Sequence, residues 1–316
     1  MTEHTPSKVW AELGLLSLMW GSTFLLMKVA VPTVPAFTMS AVRGLLAAAL
    51  LWIVVRIVRS GSPAHTPTGW VPPIVLGTLS GWLPNVLTAW ALLRLDSSVA
   101  GMLSAASPIF VVILAHFFLT SERLRPIQIV GVVTGFFGVA LIIGIDPGSL
   151  DGENLAGQLA MIVVGASYAA GTVYARRIGP QDAPRLAQRQ QLVAGSVALV
   201  LALIFEQIWD VRPEPIALAA ILGLAIWASA IPIWLYFRML AHTRAVTVSL
   251  VAYLVPAVAV VLGAVVLDEH LEPRAAVGLL VVLAGVYVTA RRPKLRVTPP
   301  VSTAGIEPEA PATAEP

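Results

Sequence analysis

Lys28 and Arg43 are the two side chains of this 316-residue chain whose chemistry most needs an explanation. Each stands inside a long apolar run, one on either side of the turn at residues 31–37. A cation within an apolar helix is expensive and marks a functional position by default. The alternative is that the long stems carry both charges out to the nearest surface. If they face inward, they form a cationic vestibule suited to a carboxylate or another anionic group. Arg43 would then hold that group in a bidentate grip that lysine cannot reproduce.

Neutral residues at helical spacing could share such a path. Trp20 and Thr23 fall on one face with Met27, Trp82 shares a face with Asn85, and Tyr168 stands mid-run much later in the chain. Ser97, Gly101, Ser104 and Pro108 are spaced 4, 3 and 4, which puts them on one helical face. A second stripe of the same kind runs Ala245, Ser249, Ala252 and Pro256, with Tyr253 beside it. Small-residue stripes let helices approach closely, so packing and solute contact both remain open for them. Pro84, Pro108, Pro232 and Pro256 lie within apolar runs, and a proline there frees a carbonyl about one turn upstream. In lipid a freed carbonyl is tolerated where it lines a wet cavity or finds a neighbour. Four bent helices around a cavity and four packing kinks are both consistent with that, and the pairing described below favours the cavity.

Other chemistries are excluded. Glu12, Asp96 and Glu206 all fall near the ends of apolar runs, and no carboxylate stands in the middle of one, so no buried-carboxylate proton relay is visible. His116 is a lone histidine near a run's end and reads as inert. The absence of cysteine rules out disulfides, thiolate metal sites and cysteine nucleophiles. No metalloprotease, serine-elbow or phosphate-loop motif is present. The chain therefore reads as no enzyme, with no catalytic residues, no metal site and no cofactor. Its sequence pI near 9.5 comes from loop arginines and does not imply nucleic acid.

The elements that must position these residues are membrane helices. Hydrophobic residues make up 57% of the chain and charged ones 12%, with a mean hydropathy of +0.84. A soluble domain carries about 25% charged residues, so the lipid bilayer is the expected surrounding. Each crossing needs roughly 20 apolar residues, which places helices near 10–30, 37–59, 70–93, 97–119, 126–144, 156–176, 186–207, 216–238, 245–267 and 274–291. The first, after Lys8, is too long for a signal peptide and no small-residue cleavage site follows it, so it reads as retained. Residues 1–9 form a short N-terminal segment, and the Pro/Ala/Thr/Glu-rich stretch 292–316 reads as a disordered tail. Loops rich in Lys and Arg stay cytoplasmic. With the N-terminus inside, 15 of the 20 basic residues fall on the cytoplasmic side, which puts both termini there.

One block is written twice. Trp20, Lys28, Pro84 and Pro108 recur 148 positions later as Tyr168, Arg176, Pro232 and Pro256. After the loss of one residue, Glu122-Arg123-Leu124-Arg125-Pro126 meets Glu269-His270-Leu271-Glu272-Pro273, and Gly131 meets Gly278. A five-helix repeat is odd-numbered, so the copies cross the membrane in opposite senses. The charges agree, because the basic Arg123/Arg125 connection is replaced by the acidic Asp268/Glu269/Glu272 one. The fold class read from the sequence is thus an all-α integral membrane protein of ten transmembrane helices, arranged as two inverted five-helix repeats over 10–144 and 156–291. Duplicated apolar halves are the mark of secondary transporters.

These residues resemble the drug/metabolite transporter superfamily in its EamA-type branch. The likeness rests on Trp20-Gly21-Ser22-Thr23-Phe24 with Lys28, Ala41-Val42-Arg43, and Ser107-Pro108-Ile109-Phe110 followed by Ser121-Glu122-Arg123-Leu124. Tyr253-Leu254-Val255-Pro256 and Asp268-Glu269-His270-Leu271 supply the second copy, and the likeness covers roughly residues 10–291. It implies ten helices in two inverted repeats that move small organic solutes, often amino acids or related metabolites. Two positions depart from the pattern: Tyr168 stands where the family often has tryptophan, and Gln191 occupies the copy of Arg43. The expectation is a plasma-membrane secondary carrier, working as an exporter by alternating access, as monomer or homodimer. The alternative is a non-transporting receptor or scaffold. The candidate cavity comprises Trp20, Thr23, Lys28, Arg43, Asn85, Ser104, Pro108, Tyr168, Ser249, Tyr253 and Pro256.

Overall fold

The computed structural model describes residues 6–58, 69–119, 126–143, 152–179, 181–242 and 251–290. They form α1 (Pro6–Ala30), α2 (Ala36–Val58), α3 (Val71–Gly77), α4 (Leu83–Leu92), α5 (Ser97–Ser104), α6 (Ser107–Phe118) and α7 (Pro126–Ile143). The second half supplies α8 (Gly152–Ile178), α9 (Ala183–Phe205), α10 (Pro215–Ala225), α11 (Ile231–His242), α12 (Val251–Val266) and α13 (Pro273–Ala290). No strand occurs among the described residues. Seven helical spans are long and apolar enough to cross a membrane, and three shorter apolar helices lie at Pro126–Ile142, Leu254–Val266 and Pro273–Val288. Ser249 and the 292–316 tail lie outside the described residues, as does the side chain of Tyr253, whose backbone is in α12.

Local chemistry sets several helix starts. Pro6, Pro126, Pro215 and Pro273 are the first residues of α1, α7, α10 and α13. A proline suits that place because its missing amide would have had no intrahelical partner. Asp182 caps α9 by accepting from the Arg185 amide at 3.4 Å.

Large apolar side chains such as Phe117, Val265 and Leu280 point outward, while Ala47, Ala100, Ala198 and Ala225 are sealed inside. Lipid is as apolar as leucine, so helices gain by packing closely through small residues. At the α7–α13 contact, a Cβ added to Gly138 would lie 2.6 Å from the Val282 amide and 2.8 Å from the Gly278 carbonyl. One added to Gly285 would lie 2.6 Å from the Gly135 amide and 2.7 Å from the Gly131 carbonyl. Gly131 and Gly138 are the copies of Gly278 and Gly285, so these two contacts are one contact with the halves exchanged. They also run in opposite order along the two helices, which makes α7 and α13 antiparallel. The α2–α9 pair is antiparallel as well: Phe37 meets Glu206 while, further along, Gly44 meets Gly195.

The paired prolines act in two ways. Pro84 follows a π-helical turn at Thr78–Trp82, and Pro232 follows one at Ile226–Ala230, 148 positions later. A proline ring cannot donate to the carbonyl one turn back and crowds it, and a widened π turn absorbs that conflict. In the first turn the Leu79 carbonyl, five residues before Pro84, accepts from Ser167 Oγ at 2.7 Å. Pro108 sits just after a break, at Ala105 and Ala106, between α5 and α6. Its copy Pro256 is buried inside α12, which runs unbroken from Val251 to Val266, so the expected set of four bends is not uniform.

Adding a methyl group at the glycine contact should force α7 and α13 apart. Gly138→Ala and Gly278→Ala are each expected to destabilise the protein by about 1–3 kcal/mol, the usual range for overpacking. Gly14→Ala should not, because nothing lies within 4 Å of a Cβ there. Melting curves of the three variants in detergent check this ranking.

Candidate functional site

Arg43 is one of the places where the two halves meet through polar contacts. It projects from α2, half-buried, and its Nε donates to Ser229 Oγ at 2.8 Å. Nη1 donates to Asn85 Oδ1 at 3.3 Å and approaches Met27 Sδ at 3.8 Å. Nη2 reaches the Ala228 carbonyl at 3.5 Å. That carbonyl lies four residues before Pro232 and is therefore the one the proline leaves without its amide. Ser229 is oriented in turn by donating to the Leu224 carbonyl at 2.8 Å, across the π turn. Tyr168 on α8 lies within electrostatic reach of the guanidinium. All the acceptors are neutral, and among the described residues no carboxylate pairs with Arg43. The Nε bond is short and firm, whereas the Nη1–Nη2 edge holds only long or weak contacts. An incoming carboxylate can displace these and take two parallel bonds.

Lys28 is placed differently from the vestibule expectation. Its Nζ donates to the carbonyls of Leu92 at 2.9 Å and Leu95 at 2.6 Å. These carbonyls stand at and just beyond the C-terminal end of α4, where the helix leaves acceptors without partners and a cation is favoured. Lys28 thus ties α1 to the end of α4, and its charge also acts on Asp96. The Asp96 carboxyl is raised above its ordinary value, first by burial and then by the like charge of Glu269, with Lys28 opposing.

The remaining candidates divide. Asn85 bonds to Arg43, Met27 and Ser229 complete its contacts, and Tyr168 is coupled to the guanidinium only through its field. Trp20 instead packs on Tyr236 of α11, with ring centroids 5.6 Å apart. Ser104 turns its hydroxyl back to the Gly101 carbonyl of its own helix at 2.6 Å. Thr23 and Pro108 are half-buried and Pro256 is buried, and none of them hydrogen-bonds to Arg43. Ser229 is absent from the sequence reading, though a signal was available. It stands beside the carbonyl that Pro232 frees, where a small polar residue finds work.

Two carboxylates, Glu206 read as a residue near a helix end and Glu269 as part of the acidic copy of the Arg123/Arg125 connection, prove to bridge the halves. Glu206 accepts from the amides of Phe37 and Thr38 at 2.8 Å each, and from Thr38 Oγ1 at 2.7 Å. Glu269 accepts from the amides of Ser97 at 2.7 Å and Ser98 at 2.9 Å. Burial pushes the Glu269 carboxyl up, but the hydrogen bonds from Ser98 and Ser97 outweigh it and hold the group below its ordinary value of 4.5.

The model of the EamA-like transporter family matches residues 10–144 and 155–291. An uncharacterized transporter of Bacillus subtilis, YoaV, is 24% identical over 87% of this chain and 95% of its own. Protein PecM of Dickeya dadantii is 28% identical over 88% and 92%, respectively. The uncharacterized inner membrane transporter YedA of Escherichia coli is 25% identical over 81% of each chain. A protein solved by crystallography superposes with a TM-score of 0.64 at 18% identity, covering 90% of this chain and 98% of that one. At that identity the likeness concerns the fold.

Lys28→Met strips the Leu92 and Leu95 carbonyls of their donor. Bonds to a charged group contribute about 1.5–3 kcal/mol, so the variant is expected to melt at a lower temperature while binding solute as the parent does. Unchanged melting with a clear loss of solute affinity would return Lys28 to the transport path. Thermal melting and solute titration of the purified variant decide it.

Proposed function

This chain belongs to the EamA-like transporter family, and from that premise we propose that it is a secondary carrier exporting a small organic metabolite that bears an anionic group, such as an amino acid or a related solute. The observation that carries this reading is the uncompensated charge of Arg43 among neutral acceptors. Placing an arginine at the centre of a membrane helix costs about 2.5–3.5 kcal/mol on insertion scales. Neutral acceptors recover part of that, and a solute carboxylate on the Nη1–Nη2 edge completes the pair. Asn85, hydrogen-bonded to the guanidinium, is placed to meet the rest of such a solute.

The transport cycle is alternating access by two inverted five-helix halves in the plasma membrane, with both termini cytoplasmic. The exchanged glycine contacts at α7–α13 and the paired π turns support the inversion, since an isologous, antiparallel contact follows from a twofold axis lying across the helices. Arg43 on the first half holds the π turn of the second through Ala228 and Ser229. A solute that captures the guanidinium therefore loosens a link between the halves, which ties occupancy to motion.

Purified protein in liposomes tests the site. A ligand-stabilisation screen over amino acids, nucleosides, sugars and amines first supplies the solute. Arg43→Ala is then expected to reduce its flux by about two orders of magnitude, in line with loss of a buried charged hydrogen-bonded contact. Arg43→Lys should fall between this and the parent, because lysine keeps the charge without the bidentate fork. Parental flux in Arg43→Ala would mean that the arginine only braces helices. For orientation, a reporter active only in the cytoplasm should work when fused after Arg296 and stay silent when fused between Asp146 and Glu153. The reverse pattern overturns the charge reading.

A further inference from the structure

The two helix starts held by Glu206 and Glu269 lie at the same end of the bundle, the end to which α1 runs from Pro6. A helix start leaves its first amides unpaired, and aspartate is a preferred N-cap because its carboxylate accepts from an amide two or three residues on. α5 has an aspartate in place, Asp96, yet that side chain makes no capping bond. The amides of Ser97 and Ser98 go to Glu269 of the other half instead.

The seat of Glu269 is built for it. After α12 the chain turns sharply, with the Leu267 and Glu269 amides both donating to the Gly263 carbonyl at 3.1 and 3.2 Å. Asp268 adopts φ 54°, a left-handed conformation uncommon outside glycine. Gly263 must stay bare: a Cβ there would run into the Glu269 carboxylate and come within 3.0 Å of Ser97 Oγ.

The Glu206 clasp differs in two respects. The residue preceding α2 is Pro35, which has no side-chain acceptor, so the Phe37 and Thr38 amides have no substitute in their own helix. Behind that clasp α2 and α9 are also locked at Gly44 and Gly195, backbone against backbone.

We propose that the Glu269 clasp is the gate at this end of the carrier and opens by cap exchange: Asp96 swings onto the amides of its own helix as Glu269 leaves, while the Glu206 clasp stays closed and serves as the fixed side. The two carboxylates repel each other, so the amides favour one occupant at a time. Opening then leaves α5 capped. Lys28, bonded to Leu92 and Leu95 next to Asp96, keeps the α4–α5 turn in register during the exchange. The proposal takes from the carrier reading only that the halves part at this end.

The absence of native cysteines allows clean spin labelling. Leu93→Cys on the α4–α5 turn and Glu272→Cys on the α12–α13 turn are exposed positions on either side of the clasp. Their distance distribution, measured by pulsed electron resonance in lipid nanodiscs without solute, reports the gate directly. Glu269→Gln, with one acceptor oxygen and no charge, should raise the long-distance population by roughly tenfold, the effect of losing a helix cap. Asp96→Ala should act in the opposite direction, because only the open state loses its cap, and Glu206→Gln should leave the distribution unchanged. Should Glu269→Gln fail to fold, Glu269→Asp shortens the reach, keeps the charge and should also lengthen the distance. An unmoved distribution in the folded Glu269 variant, or Asp96→Ala shifting the same way as it, overturns the exchange. No solute enters this measurement, so its failure is distinct from failure of the Arg43 flux test.

Discussion

Among the described residues, most of the polar ties that reach a backbone group of a distant helix serve one that its own helix leaves unpaired. In the hydrocarbon region there is no water to satisfy such groups. Helix ends and prolines produce them, and side chains from elsewhere must supply partners. Lys28 covers the carbonyls at the end of α4, Ser167 the Leu79 carbonyl before Pro84, and Arg43 the Ala228 carbonyl before Pro232. Glu206 and Glu269 take the first amides of α2 and α5.

This constraint makes some ties firmer and others exchangeable. Lys28 is the firmer kind of tie, because it holds two carbonyls with short bonds. The contacts of Arg43 are uneven: one firm bond fixes the head, and the weaker edge is left for displacement. Glu269 has a rival for its amides one residue away in sequence from Ser97. Motion in a packed membrane bundle needs such replaceable bonds, since breaking a buried hydrogen bond without a substitute exposes the full desolvation cost of the group.

Packing contributes the other half of the design. Glycines at α7–α13 and α2–α9 bring backbones into contact, and the first of these contacts repeats itself with the halves exchanged. Such pairs behave as rigid seams. The polar residues of the Arg43 cluster lie on α1, α2, α4, α8 and the second π turn.

The sequence by itself determined the membrane setting, the helical segments, the duplication and the positions of the prolines. These follow from local composition and spacing, which one strand of text carries in full. It also singled out Arg43, Asn85 and Tyr168, because a charge, an amide and a phenol inside apolar runs stand out wherever they point. Lys28 stood out for the same reason, yet its role was not legible: its acceptors are backbone carbonyls 64 and 67 residues away, and a carbonyl has no letter in the sequence. Ser229 went unread and Glu269 was read only for its charge and its place in the repeat, because their roles lie in partners 186 and 172 residues distant. Only the tertiary structure decided which orphaned backbone group each of these side chains meets. That choice depends on how helices from the two halves are set beside one another, and hydropathy does not encode it.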